Sequence, residues 1–194
     1  CERCLEVVSG EALIVAADDQ RILDHCEQLG VRSIRTSVNH LTGTDRVAEV
    51  ASETDADWYV NVQGDEPFLE PSSLDAMLRS CRTHDSTSVD VLNAYARIES
   101  EEEFRSSTVP KVVCAQNGDL LYISRAAIPT TKTFDYVRAN RQVGLYGFRK
   151  KALEAFAGHD SKTHLESIED IEILRFLETG FRVRMMEVES SGPA

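Results

Sequence analysis

Trp58-Tyr59-Val60-Asn61-Val62-Gln63-Gly64-Asp65-Glu66-Pro67-Phe68-Leu69 is the stretch from which the rest of the chain can be read. Its first five residues are mostly apolar and β-rich, a pattern and length that suit a buried strand. Beyond it, Pro71-Ser72-Ser73-Leu74 opens an amphipathic helix with Leu74, Met77, Leu78 and Cys81 on one face. Asp65 therefore falls where a strand ends and the chain turns toward a helix, the place where open α/β sheets bind ligands. Pro67 disfavours the helical conformation at Glu66 and stiffens the turn. A carboxylate held there can carry a divalent cation beside a phosphate. It equally suits a polar turn in which Asp65 only caps.

Upstream, Ala12 to Ala17 is a continuous apolar run that reads as a buried parallel strand. Gln20 to Leu29 reads as a helix closed by Gly30, and Val31 to Thr36 as a second short strand. Thr44 is the expected cap of a helix running through Val47, Ala48, Val50 and Ala51. Strand and helix alternating in this way predict a parallel sheet with helices on both faces. Downstream the pattern changes. Val89 to Ile98 reads as a strand and Glu99 to Phe104 as an acidic helical turn. Lys111 to Cys114 and Leu120 to Ile123 flank the hairpin signal Asn117-Gly118. Residues 129–140 are expected as a loop, Val143 to Phe148 as a strand and Lys150 to Phe156 as a helix. Leu165 to Leu177 is expected as one helix ended at Gly180, and Arg182 to Val188 as a closing strand. The expected fold class is α/β, a three-layer α/β/α sheet, mostly parallel, with an antiparallel addition in the second half. It forms one domain over residues 1–194.

The 194 residues are 42% hydrophobic, enough for one sizeable core. No apolar run approaches the ~18 residues that span a bilayer, and no signal peptide is visible. A net charge of −12 argues against binding nucleic acid or an anionic membrane surface. Five scattered cysteines fit a reducing compartment, the cytoplasm, and the lone Cys1/Cys4 pair is a weak metal or redox signal.

Four polar clusters fall at loops and strand ends. Thr42-Gly43-Thr44-Asp45-Arg46 is a glycine turn opening a helix, whose free N–H groups suit an anion or a base edge, or else only an ordinary cap. Gln63 and Asp65 form the second cluster. Ser124-Arg125 follows a strand, where a guanidinium pairs with a carboxylate ligand or sits in a surface salt bridge. The acidic stretch Glu166 to Glu172 carries Glu166, Glu169 and Asp170 on adjacent turns, and a solvated face is the simpler reading. Neither a nucleophile–histidine pair nor a GxxxxGK[ST] or GxGxxG loop is present.

Together these clusters resemble the cytidylyltransferases that activate 3-deoxy-manno-octulosonate (Kdo). His40-Leu41-Thr42-Gly43-Thr44-Asp45-Arg46-Val47-Ala48-Glu49 is similar to the family's H-x-[ST]-G-T-[DE]-R-x-A-E. Asn61 to Pro67 matches N-V-Q-G-D-E-P. Lys111-Val112-Val113 and Leu121 to Pro129 resemble K-V-V followed by L-Y-F-S-R-x-x-I-P. Gly144-Leu145-Tyr146-Gly147-Phe148 resembles G-I-Y-G-Y, and Leu165 to Arg175 resembles L-E-x-x-E-x-L-E-x-L-R. The resemblance runs from about Leu5 to Pro193. It implies a Rossmann-like nucleotidyltransferase sheet and a reaction in which the anomeric hydroxyl of an acid sugar attacks the α-phosphate of CTP, releasing pyrophosphate, for lipopolysaccharide or surface-polysaccharide synthesis. By the same resemblance Asp65 holds Mg²⁺, Thr42, Gly43 and Arg46 lie near the nucleotide, and Gln63 contacts the sugar. Arg125 faces the sugar carboxylate, with Tyr146 and Glu169 on its hydroxyls. The implied partners are CTP and the acid sugar, and the implied assembly is a homodimer with Val143 to Phe148 as interface material.

The chain departs from the family at two sugar-side positions. Gln142 stands where His precedes the G-I-Y-G-Y stretch, and Ile173 where Gln stands in L-E-Q-L-R. These changes admit a variant sugar such as 8-amino-Kdo. Ile168-Glu169-Asp170-Ile171-Glu172 leans toward an acylneuraminate cytidylyltransferase, and a nucleotide-binding module without turnover is the competing class. The chain is further expected to lack the family's N-terminal strand and phosphate loop and its C-terminal metal-binding Asp, and so to be inactive as residues 1–194 alone.

Overall fold

The computed structural model describes residues 1–66, 68–83 and 89–189. Expectations placed on Pro67, on His84 and on the residues after 189 lie outside these. In chain order the elements are α1 (Glu2–Leu5), β1 (Val15–Ala17), α2 (Gln20–Gln28), β2 (Ser33–Arg35), α3 (Gly43–Glu53), β3 (Trp58–Val62) and α4 (Pro71–Thr83). They continue with β4 (Val91–Arg97), α5 (Glu101–Arg105), β5 (Lys111–Cys114), β6 (Leu120–Ser124), β7 (Asn140–Arg149), α6 (Lys150–Ala157), α7 (His164–Glu169), α8 (Ile173–Glu178) and β8 (Val183–Glu187).

The long strand β7 organises the sheet. One edge pairs antiparallel with β4 from Arg97/Asn140 to Val91/Phe148. The other edge is shared: β5 pairs at Asn140 and Arg141, and β3 pairs from Leu145 to Arg149. Strand β8 adds in parallel beyond β4, while β6 closes the hairpin with β5 through the expected Asn117-Gly118 turn. Strands β3, β4, β5 and β8 therefore run in one direction with β7 against them. Strands β1 and β2 form a separate parallel pair. The architecture is α/β, with an antiparallel insertion in a sheet whose other central strands share one direction.

Helices cover both faces, as strands buried on two sides require. On one face Ala48 and Ala51 of α3, Leu153 and Phe156 of α6, and Leu174 and Phe176 of α8 pack on Val91, Tyr146 and Phe148. On the other, Leu74, Met77 and Cys81 of α4 pack on Leu92, Ala94, Val143 and Leu145. Gly147 lets α4 approach, since a Cβ there would stand 3.0 Å from Cys81 Sγ. Val143 to Phe148, expected at an interface, is instead enclosed within the chain, with β4 along one edge, β3 and the residues leading from it along the other, and Leu145 and Phe148 wholly buried.

Three local expectations are corrected. Gly10–Ala12 is a 3₁₀ turn, so β1 begins only at Val15. The cap of α3 is Thr42, whose hydroxyl accepts from the Asp45 N–H at 3.3 Å, and Thr44 lies inside the first turn. The single helix expected over Leu165–Leu177 is broken into α7 and α8 by Asp170, which adopts the left-handed conformation at φ 53°. Aspartate tolerates that conformation better than most residues. The carbonyls of Glu169 and Asp170, freed by the break, accept from the Arg125 guanidinium at 2.6 and 3.0 Å. Among the described residues, no helix is long and apolar enough to cross a membrane.

Candidate active site

The edge of β7 between its two partners is closed by a turn instead of a strand. Gln63 N–H donates to Gly144 O at 2.9 Å, and the Glu66 carboxylate accepts from Gly144 N–H at 2.8 Å. The Gln63–Glu66 turn thus takes over a strand's hydrogen bonds, leaving no orphan amide. Only glycine fits at this place. A Cβ on Gly144 would lie 2.8 Å from Gln63 Oε1 and 2.9 Å from Glu66 Cγ. The turn presents Asp65 outward. Its side chain is exposed and makes no hydrogen bond or ion pair with any described residue.

Gln63 also reaches the start of α3, its Nε2 lying 3.8 Å from where a Gly43 Cβ would stand. The first N–H groups of α3 are already engaged. Glu172 accepts from Gly43 N–H at 3.1 Å and Thr44 N–H at 2.9 Å, and from the Thr44 hydroxyl. A carboxylate here satisfies orphan donors and meets the positive end of the helix dipole. Glu172 comes from the acidic stretch, 128 residues away.

The three glutamates of that stretch do separate work and do not form a solvated face. Glu166 grips Arg175 bidentately, at 2.6 and 2.7 Å, with both residues wholly buried. Arg175 also reaches Asp45 at 3.4 Å, and Asp45 accepts from the Thr42 hydroxyl at 2.8 Å. Glu169 accepts from the Ser124 hydroxyl at 2.6 Å, the Arg125 amide at 2.9 Å and the Tyr122 hydroxyl at 3.3 Å. Burial alone would raise the Glu169 pKa, but these donors outweigh it and hold the carboxyl below the usual glutamate value. Glu172 holds the start of α3.

Tyr146 sits on the same face of β7, stacked on Phe148 at 5.6 Å between ring centroids. Burial, followed by the charges of Glu172, Asp65 and Glu66, raises its pKa far above the ordinary phenol value, so it remains a hydroxyl at neutral pH. Gln142, two register positions toward β5, donates its Nε2 to Asn93 Oδ1 at 2.9 Å.

Next to this centre opens a cavity of about 370 Å³ lined by His40, Thr42, Gly43, Arg46, Lys162 and Glu172 among others. Arg46 ties its floor together, donating to Asp18 Oδ2 at 2.6 Å, Thr36 Oγ1 at 2.9 Å and Ser37 O at 3.1 Å. His40 pairs with Glu49 at 2.5 Å and Lys162 with Asp170 at 2.5 Å. The structure therefore brings Thr42, Gly43, Gln63, Asp65 and Tyr146 around one centre, with Arg46 on the cavity wall. Glu169 and Arg125 form an adjoining cluster. Three N–H groups of the Arg125 guanidinium donate to the carbonyls of Ser107, Glu169 and Asp170, and the other two of its five have no partner among the described residues. Sequence reasoning missed Glu66, Gly144 and Glu172. The regular i, i+3, i+6 spacing of Glu166, Glu169 and Glu172 was the available signal.

Residues 1–187 match the family model described as Cytidylyltransferase. The chain belongs to the cytidylyltransferase family. Within that family it is 41% identical over 186 residues to a 3-deoxy-manno-octulosonate cytidylyltransferase of Geobacter metallireducens, covering 90% of this chain and 72% of the relative. It is 34% identical over 192 residues to the enzyme of that name from Escherichia coli, covering 99% and 76%. A solved structure of CMP:2-keto-3-deoxy-manno-octonic acid synthetase complexed with CTP superposes with a TM-score of 0.88 at 33% identity, covering 100% of this chain and 78% of the other. The inositol-1-phosphate CTP transferase of T. maritima shares the fold at a TM-score of 0.57 and 14% identity. The junction of α3, the β3–α4 turn, β7 and the α7–α8 break is the candidate site.

Proposed function

We propose that the protein transfers CMP from CTP to the anomeric hydroxyl of a 3-deoxy acid sugar, Kdo or a variant such as 8-amino-Kdo, releasing pyrophosphate. The observation that carries this reading is Gln63, whose side chain lies beside both Gly43 at the start of α3 and Gly144 on β7, where added Cβ atoms would stand 3.8 and 2.8 Å from its amide. One amide thereby joins the proposed nucleotide side to the proposed sugar side. The names of the relatives support the choice of CTP and of Kdo.

Phosphoryl transfer depends on in-line placement and charge neutralisation more than on a covalent participant. Thr42, Gly43 and Arg46 border the cavity for the nucleotide. Gln63 and the Tyr146 hydroxyl, which stays protonated, offer hydrogen bonds to the sugar. Arg125 has N–H groups left for the sugar carboxylate and, through its main chain, orients Glu169 toward a sugar hydroxyl. Among the described residues no three His, Cys, Asp or Glu side chains gather as a metal site. The exposed Asp65, unpaired among the described residues, nonetheless fits Mg²⁺, which is commonly bound by one or two carboxylates plus substrate phosphates. When bound there, Mg²⁺ supplies positive charge to the triphosphate.

A homodimer working in the cytoplasm completes the proposal. Phe134 and Val137, 70% and 72% exposed on the loop before β7, support the first, and five free thiols support the second. The test is pyrophosphate release from CTP with Kdo, 8-amino-Kdo or an acylneuraminate. CTP-dependent release with either 3-deoxy sugar upholds the reading. Release with the acylneuraminate alone, or with none, overturns it. Sedimentation showing only monomer at micromolar concentration refutes the dimer.

A further inference from the structure

Asn93 lies in the middle of β4 with none of its surface exposed. A polar side chain in such a place is costly unless its hydrogen-bonding groups are matched. Here they are. Nδ2 donates to Val143 O at 3.0 Å and Leu145 O at 3.1 Å, and Oδ1 accepts from Gln142 Nε2 at 2.9 Å. The two carbonyls flank Gly144. At this point the β4–β7 register jumps: Asn93 pairs with Tyr146, but Ala94 pairs with Val143, so Gly144 and Leu145 bulge from the ladder. The amide of Asn93 replaces the main-chain donors that the bulge takes away.

The bulge has its counterpart on the opposite edge of β7. There Gly144 offers its N–H to Glu66 and its carbonyl to Gln63, which seats the turn carrying Asp65. The same amide governs Gln142. With both Nδ2 hydrogens committed to carbonyls, Asn93 cannot turn over, so it meets Gln142 only with an acceptor. Gln142 must approach with its nitrogen, and its Oε1 stays clear of Asn93.

We infer that Asn93 is a positioning residue of this site, propping the Gly144 bulge that seats the Gln63–Glu66 turn and setting the direction of the Gln142 amide. The kinetic consequence rests on the proposed reaction, whereas the structural one does not. Amide hydrogen exchange, read by NMR without substrate, tests the prop directly. In Asn93→Ser the Gly144 amide exchanges about tenfold faster or more, as befits lost hydrogen bonds, while Val60 and Phe148 amides stay within about twofold. Exchange at Gly144 that rises no more than at those strand positions overturns the inference.

The kinetic arm uses CTP and Kdo with Asn93→Ser, Gln142→Met and the double variant. Asn93→Ser lowers kcat per folded molecule by about tenfold, because a displaced turn misplaces its reacting partners. Gln142→Met raises the KM for Kdo but leaves Gly144 exchange unchanged, and it spares both Asn93 Nδ2 bonds should Asn93→Ser fold poorly. The KM for Kdo of the double variant equals that of the worse single variant, since both act through one hydrogen bond. Unchanged kcat per folded molecule, or additive effects on that KM, refutes the positioning role. A wild-type protein inert toward both Kdo and 8-amino-Kdo sinks the proposed reaction, and Gly144 exchange still decides Asn93.

Discussion

Replacing Glu172 by alanine removes the carboxylate that accepts from Gly43 N–H, Thr44 N–H and the Thr44 hydroxyl. Hydrogen bonds to a charged group contribute about 1.5–3 kcal/mol each when isolated from water. This site borders an open cavity, so water re-satisfies part of what is lost. The remaining loss resembles that of a helix cap together with its dipole interaction, about 2 kcal/mol. For a chain of this size that lowers the melting temperature by about 4–8 °C. Glu172→Gln keeps an oxygen acceptor without the charge, and about half the shift is expected. Because Thr42 and Gly43 border the cavity proposed for the nucleotide, freeing the start of α3 is expected also to weaken CTP binding, by about tenfold if about 1.4 kcal/mol of ordering is lost. Thermal unfolding followed by circular dichroism and CTP titration by calorimetry read the two effects. A melting temperature within about 1 °C of wild type with unchanged CTP affinity would refute the reasoning.

Asp65→Asn is expected to abolish pyrophosphate release while stability stays within about 0.5 kcal/mol, because the side chain is exposed and has no partner among the described residues; a near wild-type rate at limiting Mg²⁺ removes its proposed metal role. Gly144→Ala drives a Cβ to 2.8 Å from Gln63 Oε1. It should cost about 1–3 kcal/mol in chemical denaturation and sharply reduce turnover. Glu166→Ala leaves the buried Arg175 without its bidentate partner and should cost about 3–5 kcal/mol in the same assay. Glu169 has a lowered pKa, so its contribution is complete above the unfolded value, near pH 4.5, and is lost as pH falls through the folded value. Stability measured from pH 6 down to about pH 3 should therefore fall less steeply in Glu169→Gln than in wild type.

Much of the fold was legible in the sequence because local chemistry specifies it. The strand Trp58–Val62, the helix from Gln20 and the Asn117-Gly118 hairpin stand where periodicity and turn residues put them. The break at Asp170 was not legible. The residues from Leu165 to Leu177 keep a helical pattern, and the chain leaves it where Arg125, 44 and 45 residues earlier, captures two carbonyls. The cap of α3 was placed two residues late for a similar reason. Thr42 and Thr44 are both good cap residues, and Thr44 is drawn into the first turn with its hydroxyl on Glu172.

The candidate site divides along the same line. The Gln63–Asp65 turn follows from a strand signal running into turn residues, and the family from motifs that stand in order along the chain. Strand order did not follow. A run of apolar residues reports that a strand is buried, not which edge its amides meet, so the pairing of β3 with β7 came only from the folded chain. The partners of Glu172 and Asn93 came from there too. Sequence determines which side chains can accept or donate. Which two of them meet across 128 residues, or across a bulge in β7, is decided by packing, because only tertiary contact brings a buried group's partner within hydrogen-bond range.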